Sequence, residues 1–195
     1  DFWFDCRNYV PQKLKPLIEA FGRLQEKRIG VHYIGGNHDY WIRGYLTREL
    51  GINFYPDALT FRYERKSFYC FHGDHVVYNH FLYPPLRRIM RSPLAIGLLK
   101  CFPVRCIYAL GERVSHYNRS ATDIPHVSDR IKNRMQEYLF NKLDEGYDIV
   151  LCGHVHKPLC VEKGDKTAAV LGDWIHHCSH GIWDGSTFRL INETW

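Results

Sequence analysis

Two periods of apolar residues alternate along this chain, and they predict its elements. Pro16 can occupy the first turn of a helix, and Ile18, Phe21 and Leu24 then recur at helical spacing, predicting a helix from about Pro16 to Lys27. Ile29 to Ile34 is a short apolar run closed by Gly35-Gly36, the pattern of a buried strand ending in a tight turn. Tyr40 to Leu50 is predicted as a helix stopped by Gly51, and Ala58–Tyr63 and Ser67–Phe71 as strands joined by a charged turn. Ser128 is a suitable N-cap for an amphipathic helix carrying Ile131, Met135, Tyr138, Leu139 and Leu143 as far as Gly146. A further buried strand, Tyr147 to Cys152, follows. Leu159–Glu162, Thr167–Leu171 and Thr187–Ile191 complete the set as short strands. The expected class is α/β.

Three of the apolar strands end in polar clusters: Gly36-Asn37-His38-Asp39, His72-Gly73-Asp74 and Gly153-His154-Val155-His156. Carboxyl ends of strands are where open α/β sheets bind ligands. Imidazole, amide and carboxylate groups are suitable ligands for Mn, Fe or Zn, and a glycine beside each cluster lets the backbone turn sharply.

Composition narrows the class without changing it. With 195 residues, 45% hydrophobic and 24% charged, the chain fits one globular domain, and a soluble protein is expected because no apolar run reaches the roughly 18 residues of a membrane span. Seven scattered cysteines with no Cys-x-x-Cys pair point to free thiols in a reducing compartment, with Cys70 and Cys152 as buried small hydrophobes. Charge is uneven. From His80 to Arg119 seven basic residues face Glu112 alone, a surplus of six, so the remainder of this +5 chain is at −1.

Together the three clusters resemble the later motifs of the calcineurin-like metallophosphoesterases, from about residue 29 onward. The resemblance implies a β-sandwich flanked by helices and two divalent metal ions, Mn first with Fe or Zn as alternatives. Asn37, His72 and His154 would bind one ion and His156 the other. His38, oriented by Asp39, would stabilise the attacked phosphoryl group or assist the leaving oxygen. A metal-activated hydroxide would attack phosphorus in line, with no protein nucleophile. The family also uses an Asp-x-His and a Gly-Asp on its first two strands. Neither stands here; the opening Asp1-Phe2-Trp3-Phe4-Asp5 resembles the stretch after that Gly-Asp, so both motifs are expected upstream of Asp1.

Leu171-Gly172-Asp173-Trp174, the Phe2-Trp3 opening and the long insert between His72 and His154 are similar to the UDP-2,3-diacylglucosamine hydrolase group, which cleaves the pyrophosphate of a nucleotide-linked glycolipid in lipid A synthesis. The resemblance implies a helical lid, about residues 78–127, over the acyl chains, and a cytoplasmic enzyme that meets the anionic inner-membrane surface of a Gram-negative bacterium. The insert suits that role physically, since apolar residues from Phe81 to Leu110 alternate with basic ones, and Pro84-Pro85, Pro93 and Pro103 divide it into short helices. Ordinary amphipathic helices packed on the domain have the same pattern. Tyr83, Arg87 and Arg88 are candidate substrate contacts or a solvated basic face. His176, His177 and His180 either rim the pocket or are incidental.

His38 is a departure, because the best-known branch of that group has Arg there. Another phosphodiesterase or a nuclease is therefore the alternative enzyme, although the insert's mainly aliphatic side chains argue against nucleic acid. A non-catalytic scaffold with an incomplete metal site is the alternative of a different class. Oligomeric state leaves no mark on the sequence.

Overall fold

A computed structural model describes residues 3–5, 9–42, 44–78, 83–122 and 125–193, with backbone alone at 40, 41, 115–122 and 125–128. Cys6, Phe81 and Leu82 lie outside the described residues. The fold is mixed α/β and divides into two compact units, Asp1–Pro56 with His80–Thr122, and Asp57–Asn79 with Asp123–Trp195.

The chain opens with β1 (Trp3–Phe4), a 3-10 turn, and α1 (Lys15–Glu26), whose proline sits at the amino end as expected. After it come β2 (His32–Ile34), β3 (Asp39–Trp41), α2 (Tyr45–Arg48) and β4 (Asn53–Tyr55). Strands β1 and β3 pair in parallel, as do β2 and β4. The helix predicted over Tyr40–Leu50 is thus a strand followed by a single helical turn. The reason lies at Gly44, whose N–H donates to the buried Asp5 carboxylate at 2.7 Å. A Cβ at Gly44 would stand 2.7 Å from that carboxylate, so only glycine lets it close on the start of α2.

Next follow β5 (Ala58–Tyr63), β6 (Lys66–Phe71) and the short α3 (Asp74–Val77). The insert then forms α4 (Tyr83–Met90), α5 (Pro93–Leu99) and α6 (Val104–Thr122). Its prolines divide it as expected, each standing at a helix start, although α6 runs for 19 residues: Pro84 and Pro85 lie in the first turn of α4, Pro93 opens α5 behind the Ser92 cap, and Pro103 precedes α6. One edge of these helices is packed, with Ile96, Ile107 and Tyr108 forming a core with Phe4 of the same unit, and the Tyr108 hydroxyl donating to the Phe4 carbonyl at 3.0 Å. The other edge leaves Leu86, Ile89, Leu94, Leu98, Phe102 and Leu110 exposed, Leu94 by 76%. Among the described residues no single helix is long and apolar enough to cross a membrane; α5 and the first part of α6 together have the length and composition but bend by 115°.

In the second unit α7 (Pro125–Asp144) begins three residues before the expected cap, so Ser128 lies inside its first turn. Strands β7 (Ile149–Cys152), β8 (Leu159–Lys163), β9 (Lys166–Val170), β10 (Ser179–Trp183) and β11 (Phe188–Asn192) complete the chain. Five strands form one sheet in the order β5-β6-β7-β9-β8, parallel at its centre and antiparallel at both edges. Its central strands are covered on both faces, which explains their continuous apolar runs. Phe71, Val150, Cys152, Ala168 and Val170 pack with Met135, Leu139 and Leu143 of α7, while Phe68, Ile149 and Ala169 pack with Phe188 and Trp183 of the β10–β11 hairpin. The six described cysteines are free thiols; burial pushes Cys70 up to about 12 and raises Cys152 as well, so both are inert packing groups as expected.

Candidate functional site

Register in the second unit's sheet creates the site. Strands β6 and β7 run parallel with Phe71 opposite Cys152, so the residues that follow them emerge side by side, and the Gly153 N–H donates to the His72 carbonyl at 3.1 Å. The imidazoles of His72 and His154 then meet, Nε2 of one lying 3.2 Å from Nδ1 of the other. Two backbone features permit this approach. Gly73 has φ +108°, and a Cβ there would stand 2.9 Å from the Met135 methyl carbon and 3.5 Å from the His154 Cβ. His154 itself is left-handed at φ +61°, a conformation that costs a non-glycine residue on the order of 1 kcal/mol or more.

This spacing can be tested against a cation. Two imidazole nitrogens about 2.1 Å from one ion, at an angle of about 90–110°, lie roughly 3.0–3.4 Å apart. The observed pair therefore fits a shared ion, with the remaining ligands supplied from outside it. A single proton shared between two neutral rings has the same spacing. Among the described residues no three His, Cys, Asp or Glu side chains gather into a group able to hold a metal.

The third central strand adds a residue that motif spacing alone does not reveal. Val170 of β9 lies opposite Cys152, and the Leu171 N–H donates to the Cys152 carbonyl at 2.8 Å, so Asp173 emerges at the same sheet edge. Its buried Oδ2 lies 3.0 Å from Nδ1 of His156, and its Oδ1 accepts the backbone N–H groups of Ile175, His176 and His177 at 2.8–3.1 Å. Burial opposes ionisation of Asp173, yet these backbone donors and His156 outweigh it and hold the carboxyl well below the usual range. The signal in sequence was Leu171-Gly172-Asp173 at the end of a third strand parallel to the first two. Of the neighbouring histidines, His177 reaches Asp173 at 3.5 Å and His180 stacks on Trp174, with ring centroids 5.9 Å apart.

In the first unit, Asn37 and His38 occupy the turn between β2 and β3, both half-buried, and Asp39 opens β3. The Asp39 Oδ2 accepts the Gly36 N–H at 2.8 Å and the Tyr33 hydroxyl at 3.1 Å, closing the turn on itself. Burial raises the Asp39 pKa against the opposing effects of Gly36, Tyr33 and Arg91, and Tyr33 is raised too, by burial and then by Asp39. Arg91 ties α4 to this turn by donating to the carbonyls of Gly36 and Pro56, the latter at 3.0 Å, and Arg87 joins it on Pro56 at 3.2 Å. Of the candidate substrate contacts, Tyr83 and Arg87 are half-buried on α4 and Arg88 is exposed.

No protein-family model matches the chain. Curated proteins named UDP-2,3-diacylglucosamine hydrolase do resemble it. That of Porphyromonas gingivalis is 29% identical over 97% of this chain and 79% of its own length. That of Haemophilus influenzae is 26% identical, over 89% of this chain and 73% of its own length, and that of Pseudomonas fluorescens is also 26% identical, over 82% and 66%. These relatives are hydrolases by name, and the chain is similar to them over most of its length.

Proposed function

We propose that this protein hydrolyses the pyrophosphate of a UDP-linked diacylglucosamine, releasing UMP and diacylglucosamine 1-phosphate, as a metal-dependent phosphoesterase. The observation that carries this reading is the pair of imidazole nitrogens 3.2 Å apart at the ends of two adjacent parallel strands. The names of its relatives support the substrate.

Two divalent cations, Mn in the first instance, would supply the positive charge that acidifies an attacking water and neutralises the phosphoryl oxygens. The protein's own part is to hold and orient. His72 and His154 would offer their facing nitrogens to one cation, and His156 would offer Nε2 to the other, with Asp173 on its Nδ1. Asn37 is assigned to the ligands of the first ion. His38, oriented by Asp39, donates to the phosphoryl or leaving oxygen, where charge accumulates. The exposed aliphatic edge of α4–α6 takes the acyl chains as a lid, and the arginines beside it face phosphate or the anionic inner membrane. The reading places the enzyme in the cytoplasm, at that membrane.

His38 favours a second reading, hydrolysis of another phosphodiester or pyrophosphate. One assay separates the two. Full-length protein with Mn²⁺ is given UDP-diacylglucosamine, a simple chromogenic diester and single-stranded DNA, and the products are followed by mass spectrometry. Preferential release of UMP from the glycolipid is expected. Preference for a diester or DNA would overturn the substrate, and no cleavage of any would leave a non-catalytic scaffold.

A further inference from the structure

We propose that Asp173 is a positioning residue that fixes His156 as its Nδ1–H tautomer, so that Nε2 carries the lone pair offered to a divalent cation. The inference deepens the functional reading above and rests on it for the identity of the ligand.

The argument begins with donors and acceptors. The Oδ1 of Asp173 already accepts three backbone N–H groups, which leaves Oδ2 as the oxygen that faces His156. Its Oδ2 lies 3.0 Å from His156 Nδ1, so the proton of that bond belongs to the ring. A neutral imidazole protonated at Nδ1 has its only free lone pair at Nε2. His177 competes poorly for this role, lying 3.5 Å away on the oxygen that the backbone already occupies.

The carboxylate is itself held in place from both sides. Gly172 has φ +78°, and a Cβ there would come within 2.2 Å of the Ser179 hydroxyl, so this position requires glycine. Ser179 in turn donates its hydroxyl to the Leu171 carbonyl at 2.6 Å and its N–H to the Asp173 carbonyl at 3.0 Å. Strand β10 therefore fastens the loop that carries Asp173. An oriented carboxylate behind a metal-binding histidine typically affects affinity by about 10–100-fold.

Asp173→Asn tests this without removing the loop's cap. The amide oxygen still accepts the three N–H groups, while the amide NH₂ now faces Nδ1 and must donate to it. The ring proton then moves to Nε2 and blocks that lone pair. Nitrogen-15 NMR of the imidazoles in full-length, chelator-treated protein should show His156 as the Nδ1–H tautomer in wild type and as Nε2–H in the variant. Calorimetric titration with Mn²⁺ should show binding at one site weakened about 10–100-fold by the substitution. An Nε2–H tautomer in wild type overturns the proposal, as does a variant in which tautomer or Mn²⁺ affinity is unchanged. Failure of wild type to bind Mn²⁺ would instead remove the functional reading, while the NMR alone judges the tautomer.

Discussion

The two units place their candidate residues by different means. In the second unit, His72, His154, His156 and Asp173 follow three neighbouring parallel strands whose faces are covered on both sides, so the sheet's register sets their positions. In the first, Asn37 and His38 lie on a turn between strands of three residues each and Asp39 opens the second of them, all held by side chains: Asp39 on Gly36 and Tyr33, and Arg91 on Gly36. A site built on sheet register should tolerate loss of a single hydrogen bond. One built on a turn should not.

The largest effect should come from the rigid edge. His154→Ala removes one of two converging donors and should cut Mn²⁺-dependent kcat/KM by at least about 10³-fold, equivalent to about 4 kcal/mol, with an unchanged circular dichroism spectrum. Retained turnover with normal metal content would remove His154 from the ligands. His38→Ala should lower kcat by about 10²–10³-fold while bound Mn²⁺, counted by atomic absorption, stays the same. Loss of metal along with rate would make His38 a ligand and erase the contrast between the two regions.

A smaller and more selective loss is expected at the insert. Ile96, Ile107 and Tyr108 share a core with Phe4, so deleting residues 81–117 would damage the first unit as well as any acyl-binding edge. Leu94→Ser and Leu98→Ser touch only exposed positions. If those leucines meet acyl chains, each should lower kcat/KM on the diacyl substrate about tenfold, since burying a leucine contributes about 1.5–3 kcal/mol, and leave a small diester unaffected. Equal loss on both substrates would make the edge structural.

The smallest effect concerns the sheet frame. Asp148 accepts the Ser67 N–H at 2.7 Å and its hydroxyl at 2.6 Å, fastening the start of β7 to β6. Burial raises its pKa, but Ser67 and the nearby Lys66 and Lys166 more than offset this, and the net shift is downward. A depressed folded-state value stabilises above the unfolded pKa of about 3.9 and loses that contribution as pH falls further. Asp148→Ala should therefore cost about 2 kcal/mol in urea denaturation at pH 7 and distinctly less near pH 2. A pH-independent cost would assign Asp148 a packing role only.

These regions also differ in how well sequence foretold them. Strands β6, β7 and β9 and helices α1 and α7 were legible because their apolar residues face a core, and β5 because its β-rich run pairs with β6 across a charged turn. Tyr40–Leu50 was not, because its helical spacing competes with two distant partners, the β1 strand and the Asp5 carboxylate at Gly44. The hairpin strand β10 was missed because Ser179-His180-Gly181 lacks an apolar signature and gains its place from pairing with β11. The histidine motifs were visible as strand ends. Asp173 required the strand order β6-β7-β9, a long-range property that local pattern does not encode.

The central claim is that the His72–His154 edge holds a cation used in phosphoester hydrolysis. Electron paramagnetic resonance titration of Mn²⁺ into the full-length protein, wild type beside His154→Ala, tests it most directly. Two ions bound per wild-type chain and the loss of at least one in the variant are expected. Equal uptake by the two proteins, or none by the wild type, would contradict it.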